Sequence, residues 1–307
     1  MYKMVSKLAA LAALATLSPA AHAESGWSLL NMTPGVTEIS RKIYDLHMLI
    51  FWVCVVIGVV VFGVMIYSIA TFRRAAGAVP DTTMVHNTKV EIVWTILPVA
   101  ILVAMAVPAA RTLVQIEDLR NTELSIKVTG YQWGWNYEYL DRGVNFFSRL
   151  DRQSDAAREL GSGIDPNSVP HYLLSVDKPL VVPVGTKVRL LITANDVIHS
   201  WWVPAFGVKK DAIPGFVNEA WFLIDTDKPG LYRGQCAELC GRDHGFMPIV
   251  VDARSKDDFA AWLKAKADEQ KAQQATPAAA GTAPAAPAPG AAAPATAAAT
   301  AEPATTG

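Results

Sequence analysis

The sequence is organised around one stretch, Gly234-Gln-Cys236-Ala-Glu238-Leu-Cys240-Gly-Arg-Asp-His244-Gly-Phe-Met247-Pro248. It places two thiols, an imidazole and a thioether within twelve positions, from Cys236 to Met247. Thiolate, imidazole and thioether ligands suit copper better than they suit magnesium, calcium or manganese. The stretch therefore predicts a copper site, and its sulfur-rich ligands favour an electron carrier over a hydrolytic centre.

Three other uses of these side chains fit the stretch less well. A disulfide between Cys236 and Cys240 would close a small, strained loop and leave His244 and Met247 without a role. A structural zinc ion prefers four Cys or His ligands, and only three lie in this run. A mononuclear blue-copper site needs one Cys and two His, so the stretch holds one Cys too many. Two facing thiolates can instead bridge two copper ions, and a second His must then come from elsewhere.

The spacing Cys-x3-Cys-x3-His-x2-Met resembles the binuclear copper loop of cytochrome c oxidase subunit II. A second segment, Asp196-Val-Ile-His199-Ser-Trp201, resembles the other histidine segment of that family and would supply the missing imidazole. Three further stretches extend the resemblance over residues 27 to 265: Val90-Glu91-Ile-Val-Trp94-Thr-Ile-Leu-Pro98, Gly130-Tyr-Gln-Trp133-Gly-Trp135-Asn-Tyr-Glu-Tyr139 and Lys210-Asp-Ala-Ile-Pro-Gly215.

The resemblance implies a ligand set for two copper ions: His199, Cys236, Cys240, His244, Met247 and the backbone carbonyl of Glu238. It also implies that the Glu238 carboxylate binds a magnesium ion shared with subunit I. The implied function is to take single electrons from cytochrome c and pass them to haem in subunit I, which reduces oxygen to water and pumps protons. Haem is then expected only in the partner. The implied partners are subunit I, subunit III, cytochrome c and membrane lipid.

Two further residues receive roles from the resemblance. Trp133, Trp135, Tyr137 and Tyr139 alternate, so they are expected on one face of a strand, where aromatic stripes are usually core. The resemblance identifies Trp133 instead as the exposed ring that accepts electrons from cytochrome c. Glu91 begins the second apolar run, where an acid is either an interfacial charge or part of a proton path. The resemblance places it at the entrance of a proton channel of the neighbouring subunit.

The sequence departs from the family pattern at two positions. Gly134 stands where the family commonly has Tyr, which removes a ring from the strand face opposite the aromatic stripe. Phe216 follows Ile-Pro-Gly where the family usually has Arg, so a cationic contact to a neighbouring group is expected to be missing.

Charge bears on the partner that the chain can bind. Residues 115 to 270 contain 22 Asp and Glu against 18 Lys and Arg, a mild acidity that steers a basic partner only where the acids cluster. The predicted cluster surrounds Trp133 and would bind cytochrome c: Glu138, Asp141, Asp151, Asp155 and Asp196. A basic stripe is missing from the sequence, so nucleic acid is not an expected partner.

The N-terminal third has the pattern of an exported membrane protein. A basic start, an Ala/Leu run and the small residues Ala21-His-Ala23 predict a signal peptide over residues 1 to 23. Met48 to Phe72 and Ile92 to Ala110 are uncharged runs of 25 and 19 residues, each long enough to cross a hydrocarbon core. Lys and Arg flank this hairpin almost equally on both sides, so the positive-inside rule is undecided. The signal peptide predicts a multi-pass protein of the plasma (inner) membrane with the rest of the chain on the periplasmic side.

From residue 123 onward, short β-branched runs separated by Gly and Pro turns predict an all-β sandwich or barrel. The runs are Ser125 to Thr129, Gln132 to Tyr139, Leu180 to Val184, Lys187 to Thr193, Trp221 to Ile224, Gly230 to Gly234 and Pro248 to Val251. Such folds clamp a copper loop between strands and bring the second His from a distant strand end. Helices are expected within Arg149 to Leu160 and at Ala261 to Gln270.

The predicted architecture is a transmembrane α-helical hairpin followed by a cupredoxin-like Greek-key sandwich. Its boundaries are an exported segment at 24–45, the hairpin at 46–114, the copper domain at 115–270 and a disordered Ala/Pro-rich tail at 271–307. Three other functions were open: a quinol oxidase subunit, which would lack the thiolates; nitrous oxide reductase, a longer soluble enzyme; and a free-standing copper shuttle, which needs neither Glu91 nor Glu238.

Overall fold

The computed structural model describes residues 31–79, 83 and 86–275. The predicted signal peptide lies outside these residues, as do the start of the predicted exported segment and the chain beyond 275. The described part consists of two long helices, a β-sandwich and a final helix. This order confirms the predicted fold class of two apolar helices followed by a sandwich.

The two long helices are α1 (Glu38–Thr71) and α2 (Thr88–Ile116). Both are long and apolar enough to cross a membrane. At 1.5 Å per residue they measure about 51 and 44 Å, more than the roughly 30 Å of a hydrocarbon core. Helix α1 begins ten residues before its predicted apolar run, and α2 extends beyond its run at both ends. Their apolar side chains are mostly exposed in the isolated chain, which is typical of helix faces that lipid or another subunit covers.

Ten strands and two shorter helices follow. The strands are β1 (Leu124–Tyr131), β2 (Gly134–Tyr139), β3 (Val144–Ser148), β4 (Leu180–Pro183), β5 (Lys187–Ala194), β6 (His199–Val203), β7 (Val208–Ala212), β8 (Asn218–Leu223), β9 (Gly230–Cys236) and β10 (Pro248–Arg254). The helices are α3 (Arg152–Arg158) and α4 (Lys256–Ala275). One sheet has the order β3-β2-β1-β5-β8, and the other has the order β4-β10-β9-β6-β7.

The core between the two sheets is unusually aromatic. Trp135, Tyr137 and Tyr139 of β2 are fully buried, as is Trp201 of β6. Tyr139 donates a hydrogen bond to the Val181 carbonyl at 2.7 Å, which satisfies its buried hydroxyl. Burying a large apolar side chain stabilises a fold by about 1.5–3 kcal/mol, so this stripe is a main source of sandwich stability.

The structure corrects several predicted boundaries. Strands β3, β6 and β7 lie outside the predicted runs, because each has only five residues and its polar and apolar residues do not alternate. The predicted strand from Gln132 begins only at Gly134, since Gln132 and Trp133 form the turn between β1 and β2. Helix α4 continues to Ala275, so it includes the first five residues of the predicted tail, 271–275. Helix α1 begins inside the predicted exported segment.

The start of α1 is attached directly to the sandwich. Thr37 caps α1 and donates a hydrogen bond from its hydroxyl to the Phe206 carbonyl at 2.9 Å. Arg41 binds both carboxylate oxygens of Asp225, just after β8. A Cβ on Gly207 would lie 3.0 Å from the Ser40 Cα, so glycine permits this close approach. We call these contacts the helix–sandwich joint.

Candidate metal centre

Cys236 and Cys240 are both buried and lie at the same end of the sandwich. Cys236 is the last residue of β9, and Cys240 lies in the loop that leads to β10. Their Sγ atoms are 3.8 Å apart, and both thiols are free. This separation excludes a disulfide in the described structure and leaves two sulfur donors facing one space.

His199 reaches the two thiols from the neighbouring strand. It begins β6, which pairs antiparallel with β9 through Trp201 and Cys236. A ring nitrogen of His199 and the Sγ atoms of Cys236 and Cys240 all lie within 4.8 Å of one another. The ring is fully buried, and its Nδ1 has no hydrogen-bond partner among the described residues. A buried ring nitrogen without a partner is costly, so this atom fits a metal ligand.

Three neighbours fix the orientation of the His199 ring. The Nε2 atom lies 2.9 Å from Oδ1 of Asp196, three residues earlier. A Cβ on Gly130 of β1 would lie 2.8 Å from Cδ2 of the ring, so only glycine leaves room for it. The ring packs edge-on against Trp135, with centroids 5.9 Å apart. Carboxylate support of this kind is common behind metal-bound histidines.

The remaining candidate ligands come from the loop itself. His244 begins a short 3₁₀ turn, and its Nδ1 lies 3.4 Å from the Cys240 Sγ. The Sδ atom of buried Met247 also lies 3.4 Å from the Cys240 Sγ. The Glu238 carbonyl lies 3.3 Å from the Cys236 Sγ, whereas its side chain is exposed. The structure thus brings together all six groups that the sequence predicted as copper ligands.

The two thiols differ in their electrostatic environment. Burial acts to raise the pKa of Cys236, but the nearby His199 ring and contacts with the backbone together outweigh it and lower this pKa. Burial and the neighbouring Cys236 charge raise the pKa of Cys240 to about 12. For His199, burial opposes the charged form, yet contacts to Cys236 and Asp196 raise its pKa. Two thiols, two imidazoles and a thioether form a soft donor set, and this set fits copper.

Trp133 lies over the loop between β9 and β10, residues 237–247, which we call the metal loop. It occupies the turn between β1 and β2 and is half-buried. Its Nε1 donates a hydrogen bond to the Cys240 carbonyl at 3.2 Å, and Nε2 of Gln132 donates to the same carbonyl at 2.9 Å. The prediction that Trp133 shares a strand face with Trp135 is wrong, because Trp133 lies in the turn and β2 begins only at the next residue. The turn instead sets Trp133 against a residue of the metal loop.

Comparisons with known proteins follow the same division of the chain. Residues 124–254 match a family profile described as the periplasmic domain of cytochrome c oxidase subunit II, and residues 25–111 match the profile of its transmembrane domain. A probable cytochrome c oxidase subunit 2 of Rickettsia bellii is 38% identical over 77% of this chain and 84% of its own length. The chain belongs to the cytochrome c oxidase subunit II family.

Two further relatives align with different shares of this chain. The cytochrome c oxidase subunit 2 of Cereibacter sphaeroides is 36% identical over 75% of this chain and 78% of its own length. The crystal structure of the periplasmic domain of subunit II from Bradyrhizobium japonicum is 40% identical, with a TM-score of 0.42. It aligns with 50% of this chain and 99% of that one. The match to the transmembrane-domain profile and the two apolar helices together show that this chain is a membrane protein.

The acids predicted to surround Trp133 in this subunit II chain do not form one cluster. Glu138 lies about 16 Å further along β2, where it faces Lys127, and Asp141 lies in the turn beyond. Asp151 caps α3 by accepting the Gln153 and Ser154 N–H groups. Asp155 lines a depression beside Trp133, and Asp196 contacts the Trp133 turn through the Gln132 N–H. The predicted grouping is therefore wrong, and a role of these acids in binding cytochrome c stays a prediction.

Asp196 has a use that sequence reasoning missed. One carboxylate oxygen contacts His199, and the other accepts the Gln132 N–H at 2.7 Å. Burial acts to raise the Asp196 pKa, but the contact with His199 and the N–H groups of Val197 and Gln132 together outweigh it and lower this pKa. The three-residue spacing of Asp196 and His199 was a signal available in the sequence.

The structure places the other predicted positions as follows. Glu91 lies in the first turn of α2, where its Oε1 accepts the Asn87 N–H at 3.2 Å. It is separated from the metal loop by the whole of α2. A Cβ on Gly134 would lie 2.9 Å from the Ser148 carbonyl oxygen, so the space beside this strand is already filled. Phe216 is an exposed side chain between β7 and β8.

Proposed function

We propose that this chain is the electron-accepting subunit of a cytochrome c oxidase, with a binuclear copper centre in the loop between β9 and β10. The supporting observation is the pair of buried thiols, 3.8 Å apart, beside a buried His199 Nδ1 that has no hydrogen-bond partner in the part of the chain that the structure describes. A quinol oxidase subunit would lack this pair, and a mononuclear site would use only one thiol.

Each ligand has a separate role in this proposal. Cys236 and Cys240 would bridge the metals, His199 and His244 would each bind one, and Met247 and the Glu238 carbonyl would be weak outer ligands. When bound, two thiolate-bridged copper ions supply a one-electron carrier whose odd electron is shared by both metals. The chain holds these ligands on two paired strands and a short loop, so little rearrangement of the protein accompanies each transfer.

Trp133 would accept the electron from cytochrome c. Its ring N–H is hydrogen-bonded to the Cys240 carbonyl, so one hydrogen bond joins the ring to the backbone of a proposed ligand. From the centre the electron would pass to haem in subunit I, where oxygen is reduced and protons are pumped. Subunit III is a further expected neighbour.

Glu238 and Glu91 would act outside the copper centre. The exposed Glu238 carboxylate is free to bind a magnesium ion shared with subunit I. Glu91 would collect protons at the opposite membrane face, since α2 separates it from the sandwich. In this proposal the sandwich lies on the periplasmic side of the plasma membrane, as the predicted signal peptide implies.

Metal analysis of the full chain in detergent tests the proposal. Copper-loaded chain should hold two copper ions, and its electron paramagnetic resonance spectrum should show hyperfine splitting from two equivalent nuclei. Cys236→Ser and Cys240→Ser should abolish that spectrum, whereas Cys54→Ser, in α1, should leave it unchanged. One copper per chain with a four-line pattern, or preference for zinc, would contradict the binuclear assignment.

A further inference from the structure

The segment between β3 and β4, residues 149–179, lies against the metal loop, and we call it the insert. Helix α3 belongs to the insert, and its last residue is Arg158. The Arg158 guanidinium lies 3.8 Å from the Asp243 carboxylate and 4.5 Å from the centre of the Phe246 ring. These distances are within the ranges of an ion pair and of a cation–π contact. One side chain of the insert thus contacts the metal loop at two points.

The two contacts of Arg158 lie on either side of His244. Asp243 immediately precedes this histidine, and Phe246 ends the short 3₁₀ turn that it begins. The Phe246 N–H donates to the Asp243 carbonyl at 2.9 Å, which closes the turn. A Cβ on Gly245, in the middle of the turn, would have no neighbour within 4 Å, so that part faces open space. Arg158 therefore contacts both ends of the turn that carries a proposed copper ligand.

Arg158 is itself held in one position. Asp155, one turn earlier in α3, accepts a hydrogen bond from the Arg158 Nε at 2.8 Å. The side chains of Arg158 and Asp243 are only 22% and 14% exposed. Partly buried charges are screened by solvent and salt less than fully exposed ones. The contact between α3 and the metal loop should therefore be stronger than a typical surface ion pair.

The rest of the insert is anchored to the sandwich and to itself. The fully buried Ser154 of α3 accepts the Leu173 N–H at 3.2 Å. Arg233 of β9 donates to the Leu174 carbonyl at 2.6 Å. Because β9 ends at Cys236, the strand that carries one thiol also holds the insert. Helix α3 is thus a fixed support for the metal loop.

We propose that Arg158 is a positioning residue for His244, which keeps the metal loop closed over Cys236 and Cys240. The proposal rests on the proposed function, in which His244 binds copper, and it adds a part of the insert to the copper site. The His244 Nδ1 lies 3.4 Å from the Cys240 Sγ, so movement of the turn would uncover this thiol. Without Arg158 the turn keeps its backbone hydrogen bond but loses both side-chain contacts, so it should open more often.

The first test measures access to the thiols in the copper-free full chain in detergent. Every protein carries Cys54→Ser, so that only Cys236 and Cys240 can react. The probe is iodoacetamide, because it is uncharged and the loss of a cation does not change its approach. Arg158→Met retains a long side chain of good helix propensity and should raise the alkylation rate about threefold to tenfold. Arg152→Met, in the exposed first turn of α3, is the matched control and should leave the rate unchanged.

The second test measures copper loss from the loaded chain to a chelator. Arg158→Met should lose copper about threefold to tenfold faster than the wild type and than Arg152→Met. Arg158→Lys retains the cation but not the planar guanidinium, so it should restore part of the difference. The melting temperature of copper-free Arg158→Met should stay within about 3 °C of the control, which separates opening of the loop from loss of overall stability.

A double-variant cycle identifies the contact through which Arg158 acts. Phe246→Leu removes the ring but keeps an apolar side chain. Arg158→Met combined with Phe246→Leu should raise the alkylation rate by less than the product of the two single factors, because both changes remove the same contact. Factors that multiply fully would show that Arg158 does not act through Phe246.

The failure of this proposal can be distinguished from that of the proposed function. If the wild type binds two copper ions but Arg158→Met and Arg152→Met behave alike in both tests, Arg158 has no positioning role and the proposed function stands. A fall in melting temperature large enough to account for the faster alkylation would also overturn the proposal. A wild-type chain without the binuclear copper spectrum would overturn the proposed function, and the role of Arg158 with it.

Discussion

Asp196 accepts a hydrogen bond from His199 on one oxygen at 2.9 Å while its other oxygen accepts the Gln132 N–H at 2.7 Å. One carboxylate thus holds both a proposed copper ligand and the turn that carries Trp133. Asp196 lies 64 residues from Gln132 in sequence, so this side chain links two distant segments at the site.

Removing this carboxylate should weaken copper binding. We expect Asp196→Ala to lower copper affinity by roughly 10- to 100-fold, because the His199 ring loses the group that orients it. A competition titration of the full chain with a copper chelator measures this directly. Asp141→Ala, in the exposed turn after β2, is the control. Equal affinities for both variants would show that the His199 ring is held by packing alone.

Gly130 should tolerate no side chain. In Gly130→Ala the new Cβ would lie 2.8 Å from the His199 ring, so the ring or β1 must move. Overpacking of this kind costs about 1–3 kcal/mol, and copper affinity should fall with it. Thermal unfolding and copper titration give the two effects.

Gly245 is the control for Gly130, since an added Cβ there has no neighbour within 4 Å. Gly245→Ala should retain both copper affinity and melting temperature. A Gly130→Ala protein that behaves like Gly245→Ala would mean that the His199 ring has room that the structure does not show.

Trp133 should affect electron transfer without affecting the metal. We expect Trp133→Ala to preserve the copper spectrum and to slow reduction by cytochrome c by about tenfold or more, equivalent to about 1.4 kcal/mol of activation free energy. Trp133→Phe retains a ring but loses the hydrogen bond to Cys240, so its rate should fall between the two. Stopped-flow kinetics at low salt separate the three proteins, and a changed copper spectrum would instead assign Trp133 to the metal site.

Replacing Glu91 should impair proton uptake without affecting the reduction of copper. Glu91→Gln retains an oxygen for the Asn87 N–H, so the start of α2 should be preserved, but the side chain cannot ionise. We expect lower steady-state oxygen consumption with normal reduction of copper by cytochrome c. Glu117→Gln, at the other end of α2 beside Lys210, is the control. Wild-type turnover of Glu91→Gln in an assembled complex would make Glu91 an interfacial charge.

The metal loop and the two apolar helices could be predicted because their signals are local. Cys236, Cys240, His244 and Met247 lie within twelve positions, and an uncharged run shows its length directly. The turn at Gln132 and Trp133 could not be predicted, since alternating aromatic residues continue through it without a break. Only the pairing of β1 with β2 reveals where the strand stops.

The charge around Trp133 could not be predicted either. Arg149 precedes α3 and Arg242 lies in the metal loop, so they meet only after the sandwich has folded. Counting acids in the sequence selected Glu138, which the strand carries away from the ring. Asp196 was selected correctly as a nearby acid, but its contacts are directed inward.

Under the proposed function, the helix–sandwich joint would make the geometry of electron transfer depend on the bilayer. Thr37 and Arg41 bind the sandwich at the first turn of α1, and the rest of this helix is one continuous rod through the lipid. A bilayer that changes the tilt of this rod must tilt the sandwich with it. The height of the metal loop above the lipid, and with it the distance to the next electron acceptor, would then depend on membrane thickness.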